Sequence, residues 1–532
     1  MLHLAQQSKE RAIITFDLET DPFVRDRLPE AFLAGIWDGR KYTYFWGDDC
    51  IDSMMRYLAS IPPAIIYIHN GGRFDVYHFI HYILGHEMKI INNRIVVCKI
   101  RASGGYHEIR DSYAIIPEKL ANYKKDDIDY NWMEKKVRNK HKDVIIDYHK
   151  NDCVYLHELV TGFRKTFGDK LTIGSAAMTQ LKKTQKFDIL SDSQSDYIRQ
   201  NYYYGGRTEK FVTGHVTGNF RVYDVNSMYP YVMRNFRHPI SSSYYIDNKI
   251  SDDTFFVSVK GFSRGAFPER IKNEGLRFYH RHSTYHVSIY EYQAAIECGM
   301  FDCDEIVQTV NFTLSCTFEP FVDKFYGMRM EAKQNGDKLG SLFYKLILNS
   351  SYGKFAQNPE EYFDYRLTNS EVNLIDQGWE PISLDEVSEV EGYIFWRRRP
   401  ETPGTYYNVA TGASITGAAR SVLLRGLHKA KRAIYCDTDS IICESLDCFI
   451  DENRLGAWKV EGAVTDAYIV ARKTYLLENA GQIVKVKSKG AHITADEMKR
   501  VCAGETVEWL KESPTYSLKN LPRFLKREVK LV

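Results

Sequence analysis

The 532-residue sequence holds ten cysteines but no Cys-x₂-Cys pair, and Cys298 and Cys303 come no nearer than five positions apart. That spacing argues against structural zinc and fits reduced thiols in a cytosolic compartment. No apolar run approaches the ~20 residues that span a bilayer. A secretory leader is not expected either, since a charged, strand-like segment already begins by Arg11. A soluble, intracellular chain without a membrane partner is the expectation. Internal repeats and low-complexity tracts are lacking too. The net charge is only +2, so overall charge does not announce a nucleic-acid partner.

What is present points further. The length exceeds one compact core, so three or more structural units are expected. Aromatic residues reach 14 %, with 37 Tyr, which suits stacking on bases or ribose rings, although the ordinary place for any one ring is the core. From Ala471 onward, thirteen Lys/Arg stand against seven Asp/Glu, a basic end able to track phosphates.

The first unit reads as α/β, with strand patterns at 12–18 and 64–69 and helical patterns at 75–84 and 147–160. Residues 237–313 read as short alternating stretches and loops rather than long helices. Helices over 318–334 and 337–349 meet at Asn335-Gly336 as an αα-hairpin. Residues 360–403 are polar and Pro/Gly-punctuated, like an insertion. A helix over 410–431 then feeds a strand pair, 432–436 and 440–444.

Two carboxylate clusters emerge. Asp17 and Glu19 alternate on one strand face, and Asp75 closes His69-Asn70-Gly71-Gly72-Arg73-Phe74-Asp75. Tyr148 and Asp152 stand one helical turn apart. A lone Asp-x-Glu or Tyr-x₃-Asp recurs by chance, but this ordered set is what a two-metal phosphodiesterase needs. The second cluster joins Asp224-Val225-Asn226-Ser227-Met228-Tyr229-Pro230, a strand turning sharply at Pro230, to Tyr435-Cys436-Asp437-Thr438-Asp439. That second stretch reads as a hairpin tip exposing Asp437 and Asp439 on one side. Lys345 and Asn349 share a helix face between them. Phosphoryl transfer needs positioned metals and a charge clamp, which Asp224, Asp439 and Lys345 can supply. Taken singly, Asp437 could cap a turn and Lys345 could be a solvated helix residue.

From Phe16 to about Gly490 these motifs resemble family B DNA polymerases, most closely the protein-primed phage branch of the phi29 type. The resemblance implies an RNase H-like 3′→5′ exonuclease domain (1–172) before a right-hand polymerase. Its palm would span 173–238 and 410–490, its fingers 320–358 and its thumb 491–532. Two priming-type insertions would occupy 239–319 and 359–409. In the family, the first contacts the terminal protein and the second rings the DNA for processive strand displacement. Asp17, Glu19, Asp75 and Asp152 would hold the exonuclease metals, with Tyr148 orienting water and Lys125 assisting. Thr20, His69, Asn70 and Phe74 would grip the single-stranded 3′ end. Tyr203, Gly205 and Gly206 resemble the YxGG element between the activities.

Asp224, the Val225 carbonyl and Asp439 would bind the polymerase metals, with Asp437 an essential neighbour. Tyr229 would be the steric gate against ribonucleotides. Lys333 and Lys345 would bind the triphosphate, and Asn349 and Tyr352 would line the nascent pair. Ser227, Gly353, Thr416, Arg420, Thr438, Lys473, Tyr475 and Lys487 are implied to contact DNA. Met228 and Ser351 depart from the usual Leu, and residues 487–490 match the family only loosely. The implied cofactors are two Mg²⁺ per site, with Mn²⁺ a substitute. The implied partners are primer–template DNA, dNTPs and a terminal protein, for a monomer working in a bacterial host's cytoplasm. A polymerase using nucleic-acid primers or none remains open, as does a non-catalytic DNA-binding relic.

Overall fold

The computed structural model describes residues 11–24, 29–83, 87–92, 94–124, 126–272, 274–357, 363–368, 374–381, 394–399, 407–510, 515–517, 520–523 and 526–531. Lys125 lies outside these residues, as does much of 359–409. The first strand, β1 (Ile13–Thr20), alternates with period two. Ile14, Phe16 and Leu18 enter an apolar core while Asp17 and Glu19 share the other face. Phe16 is fully buried, and such burial contributes roughly 1.5–3 kcal/mol, so the acidic face is locked by the apolar one. Strands β2 (Ala31–Trp37), β3 (Tyr42–Trp46), β4 (Ile65–Ile68), β5 (Glu87–Ile91), β6 (Arg94–Ala102) and β7 (Gly105–Asp111) join it. β4 runs parallel to β1 and to β7, at the centre of the sheet.

Helix α1 (Cys50–Ser60) covers one side of this sheet, and the 26-residue α2 (Lys142–Phe167) packs on β1. Thr15 Oγ1 donates to the Cys153 carbonyl at 2.8 Å, joining strand to helix. The helix expected over 75–84 is instead a single turn, Asp75–His78, followed by a 3₁₀ turn, Ile80–Ile83. Phe79, Ile80 and Ile83 all turn into the core, and that packing overrides one continuous helical face.

The chain next enters a seven-stranded sheet through β8 (Thr208–Lys210) and β9 (Gly214–Val225), then leaves it. The excursion forms a four-stranded antiparallel sheet from β10 (Tyr245–Asp247), β11 (Thr254–Arg264), β12 (His280–Ser288) and β13 (Phe301–Asn311). Helix α3 (Ile289–Glu297) connects the last two strands. This region, expected as short stretches and loops, therefore contains two 11-residue strands. Helices α4 (Glu319–Gln334) and α5 (Lys338–Ser350) follow as the expected hairpin, with Gly336 supplying φ +70° at the bend.

Strands β14 (Asp364–Thr368), β15 (Glu380–Pro381) and β16 (Ile394–Arg398) return to the N-terminal sheet. β14 pairs with β5, giving ten strands in the order β15-β16-β14-β5-β6-β7-β4-β1-β2-β3. The almost wholly buried α6 (Val409–Lys429) then leads to β17 (Tyr435–Asp437), β18 (Ser440–Cys443), β19 (Trp458–Ala471), β20 (Thr474–Asn479) and β21 (Gln482–Ser488). These complete the second sheet in the order β21-β20-β19-β9-β18-β17-β8. Among the described residues, no helix is long and apolar enough to cross a membrane.

Candidate active sites

Period two on β1 and one helical turn of α2 bring Asp17, Glu19 and Asp152 together. One carboxylate oxygen from each lies within 4.8 Å of the others. Asp75 approaches from the turn after β4 and is 5 % exposed. Its burial, followed by the Asp17 charge, raises its carboxyl well above the usual range. Tyr148 faces the same place; burial, then its 3.3 Å contact with Tyr130, then Asp152 and Glu19, push its hydroxyl upward. It therefore stays protonated and able to donate. An all-oxygen set of this kind fits a hard divalent cation.

Residues that the sequence did not single out hold the approach loop. Asp111, at the end of β7, accepts from the backbone N–H of Asn70 at 2.9 Å and of Gly72 at 3.1 Å. Its charge is matched by Arg94 at 2.5 Å, in a buried pair. A Cβ at Gly72 would stand 2.0 Å from the Ile95 carbonyl oxygen, so only glycine fits there. His69 lies 3.0 Å from the Glu118 carbonyl and 2.9 Å from Ser112 Oγ, and burial lowers its pKa. Neutral His69 donates through Nε2 to that carbonyl. Thr20 sits at a bulge ending β1, and the Phe74 ring meets His78 edge-on at 5.1 Å.

The second cluster is built by strand register. Ser440 of β18 pairs with Asp224 of β9, and the Val225 N–H donates to the Asp439 carbonyl at 2.8 Å. The turn residue Thr438 adopts φ +61°, and its N–H donates to the Arg207 carbonyl at 2.7 Å. Asp437, expected exposed, is 7 % exposed, because β8 covers it. It accepts from Lys473 Nζ and Thr208 Oγ1, both at 2.9 Å. Burial opposes its ionisation, yet Lys473 and the hydroxyls hold its carboxyl below the usual range. Asp439 is pushed up to about 7 by burial and then by Asp224 and Asp437. Asp224 is also raised, by burial and Glu461, against the opposing pull of Lys459.

Asp224, Val225, Ser227, Tyr229, Lys333, Lys345, Asn349, Tyr352 and Asp439 all line one cavity of ≈ 520 Å³. Its parts come from β9, the helix Met228–Asn235, α4, α5, the helical turn Tyr352–Phe355 and the β17–β18 turn. The Tyr229 and Tyr352 rings stack at 3.8 Å. The sharp turn is made by Ser227 at φ +52°, not by Pro230, which lies inside the helix Met228–Asn235. The lining residues that the sequence reading missed include Lys459, Arg329 and Asn453. Lys459 faces Asp224 across the β9–β19 ladder, 3.3 Å away. Only register brings it there. Arg329, one helical turn before Lys333, was detectable from its spacing.

An adjoining groove is lined by Thr438, Lys473, Tyr475 and Lys487, together with Glu461 and Lys485. Tyr203 and Gly353 line a third hollow with Arg73, Arg94 and Lys354. Gly205 is exposed, while a Cβ at Gly206 would stand 2.8 Å from Thr438 Oγ1. Two of the residues implied to contact DNA are buried on α6. Thr416 is buried and donates to its own helix, at the Ala413 carbonyl. Arg420 is also buried, paired with Glu291 of α3 at 2.6 Å and donating to the carbonyls of Tyr204 and Gly205. Both side chains lie on the closely packed α6, each 3 % exposed.

Comparison with known proteins agrees with this geometry. The family model "DNA polymerase type B, organellar and viral" matches residues 121–402. The DNA-directed DNA polymerase of Enterobacteria phage PRD1 is 41 % identical, over 99 % of both chains. The DNA polymerase of Bacillus phage phi29 is 26 % identical over 66 % of this chain and 62 % of its own. A crystal structure of phi29 DNA polymerase superposes with a TM-score of 0.74 at 20 % identity, covering 98 % of this chain and all of that one. That fold is an exonuclease unit followed by palm, fingers and thumb. The chain thus belongs to the type B DNA polymerases of organelles and viruses, in the phi29-type branch, and is a DNA-directed DNA polymerase.

Proposed function

We propose that the enzyme replicates linear DNA from a protein primer and edits with a separate 3′→5′ exonuclease. The reading rests chiefly on the single cavity that collects Asp224, Asp439, Tyr229, Lys333 and Lys345 from distant segments. Asp224, Asp439 and the Val225 carbonyl would hold Mg²⁺ in the polymerase site. Asp17, Glu19, Asp152 and Asp75 would do so in the exonuclease site. When bound, paired cations supply charge stabilisation to attacking and leaving oxygens. Lys333 and Lys345 bind the triphosphate, Tyr229 occupies the space of a ribose 2′-hydroxyl, and Tyr148 orients the hydrolytic water.

The domain boundaries proposed are exonuclease 1–172, palm 173–238 and 410–490, fingers 320–358, thumb 491–532, and priming insertions 239–319 and 359–409. A solved phi29 polymerase complex contains primer–template DNA and incoming nucleotide. We extend those two ligands to this chain.

The test extends a primed single-stranded circle with the protein, Mg²⁺ and dNTPs alone. Products many circle lengths long are expected, whereas no extension with any divalent metal would overturn the polymerase reading. Incubation with the cognate terminal protein and labelled dNTPs is expected to yield a protein–nucleotide adduct. Absence of adduct with every dNTP would leave nucleic-acid priming instead.

A further inference from the structure

The Lys345 ammonium, one wall of the nucleotide cavity, pairs with an acid outside the polymerase sheet. It meets Glu118 Oε1 at 3.3 Å, on the loop after β7 in the N-terminal unit. Glu118 is held at several points. Its Oε2 accepts from Asn122 Nδ2 at 2.9 Å, its carbonyl lies 3.0 Å from His69 Nε2, and its N–H donates to the Ile116 carbonyl at 2.9 Å. The carboxylate is therefore preorganised, and the long lysine side chain is the mobile partner.

We propose that Glu118 is a positioning residue that competes with the incoming triphosphate for Lys345, so that the N-terminal unit sets how readily the polymerase cavity accepts a nucleotide. This deepens, and rests on, the reading of Lys345 as a triphosphate contact. A dNTP must displace the Glu118 carboxylate to gain that cation, so the apparent affinity is reduced by the fraction of Lys345 already engaged. Both side chains are partly exposed, at 44 % and 27 %, which limits the pair to the strength of a surface ion pair. The two units meet here through the Lys345–Glu118 pair itself, while His69, within the N-terminal unit, holds the Glu118 backbone.

The experiment measures steady-state incorporation of one nucleotide on a primed template, using full-length protein. Glu118→Gln, Lys345→Ala and their combination are compared, each in an Asp17→Ala/Glu19→Ala background that removes degradation. Glu118→Gln is expected to lower KM for dNTP about two- to fivefold with kcat unchanged. A gain in affinity is a change that structural damage does not produce. Lys345→Ala is expected to raise KM, and Glu118→Gln is expected to have no effect in that background. If Lys345→Ala raises KM while Glu118→Gln leaves or raises it, the competition is overturned. If Lys345→Ala leaves KM unchanged, the triphosphate reading of Lys345 fails instead.

Discussion

The two carboxylate clusters solve one electrostatic problem in different ways. In the N-terminal unit, one strand and one helix crowd Asp17, Glu19 and Asp152 within 4.8 Å, and buried Asp75 has its pKa driven upward beside them. In the seven-stranded sheet, the acids are spread over β9, β17 and the turn after it, and two are matched with lysines. Lys459 stands 3.3 Å from Asp224 and Lys473 2.9 Å from Asp437. The repulsion is left on Asp439, pushed up to about 7. A buried arginine–carboxylate pair backs each cluster, Arg94–Asp111 in the first and Arg420–Glu291 in the second.

The sharpest way to break the comparison is reciprocal removal. Asp224→Ala is expected to reduce nucleotide incorporation about a thousandfold or more while 3′-end degradation persists. Asp17→Ala with Glu19→Ala is expected to do the reverse. Loss of both activities in either variant, measured on labelled primer–template, would show that the clusters are not independent.

Next in size is the backing pair. Arg420→Ala strands buried Glu291 and releases the Tyr204 and Gly205 carbonyls, at a cost of about 3–5 kcal/mol. A large fall in the denaturation midpoint is expected, and an unchanged midpoint would refute the supporting role.

A smaller effect is expected within the cavity. Tyr229→Val removes the ring stacked on Tyr352 and is expected to relax discrimination against ribonucleotides on the order of 10- to 100-fold. Unaltered ratios of kcat/KM for rNTP and dNTP would contradict the gate.

The mildest effect concerns pH. Asp439 titrates near 7 when folded, above its ordinary value of 3.8, so the native state keeps a proton that the unfolded chain has released. The stability from that proton is lost as pH rises through 7. A divalent cation offsets the exposed charge, so the gain in Tm on adding Mg²⁺ is expected to be larger at pH 8 than at pH 6. Equal gains would mean that Asp439 does not govern cation binding.

Much of both sites was legible because it depends on local periodicity. Asp17 and Glu19 had to share a face once β1 was a strand, and Tyr148 and Asp152 had to share one on α2. The α4–α5 hairpin was readable from Asn335-Gly336. The helix after Asp75 was misjudged because core packing, not propensity, divided it. Asp437 was judged exposed because nothing near it in sequence announces that β8 will cover it. The burial of Arg420 was not legible either, because the motif that implies a DNA contact there says nothing of how its helix packs.

The sequence by itself determined the chemistry. Residue types at periods of two and about four place acids, a tyrosine and a lysine on particular faces, and those periods are properties of the backbone. Only the tertiary structure decided what those faces meet. Lys459 reaches Asp224 through sheet register, β14 extends the N-terminal sheet by pairing with β5, and Glu118 reaches Lys345 across more than two hundred residues. Such contacts join segments far apart in the chain, and no local pattern encodes them, because packing of the whole chain sets their separation.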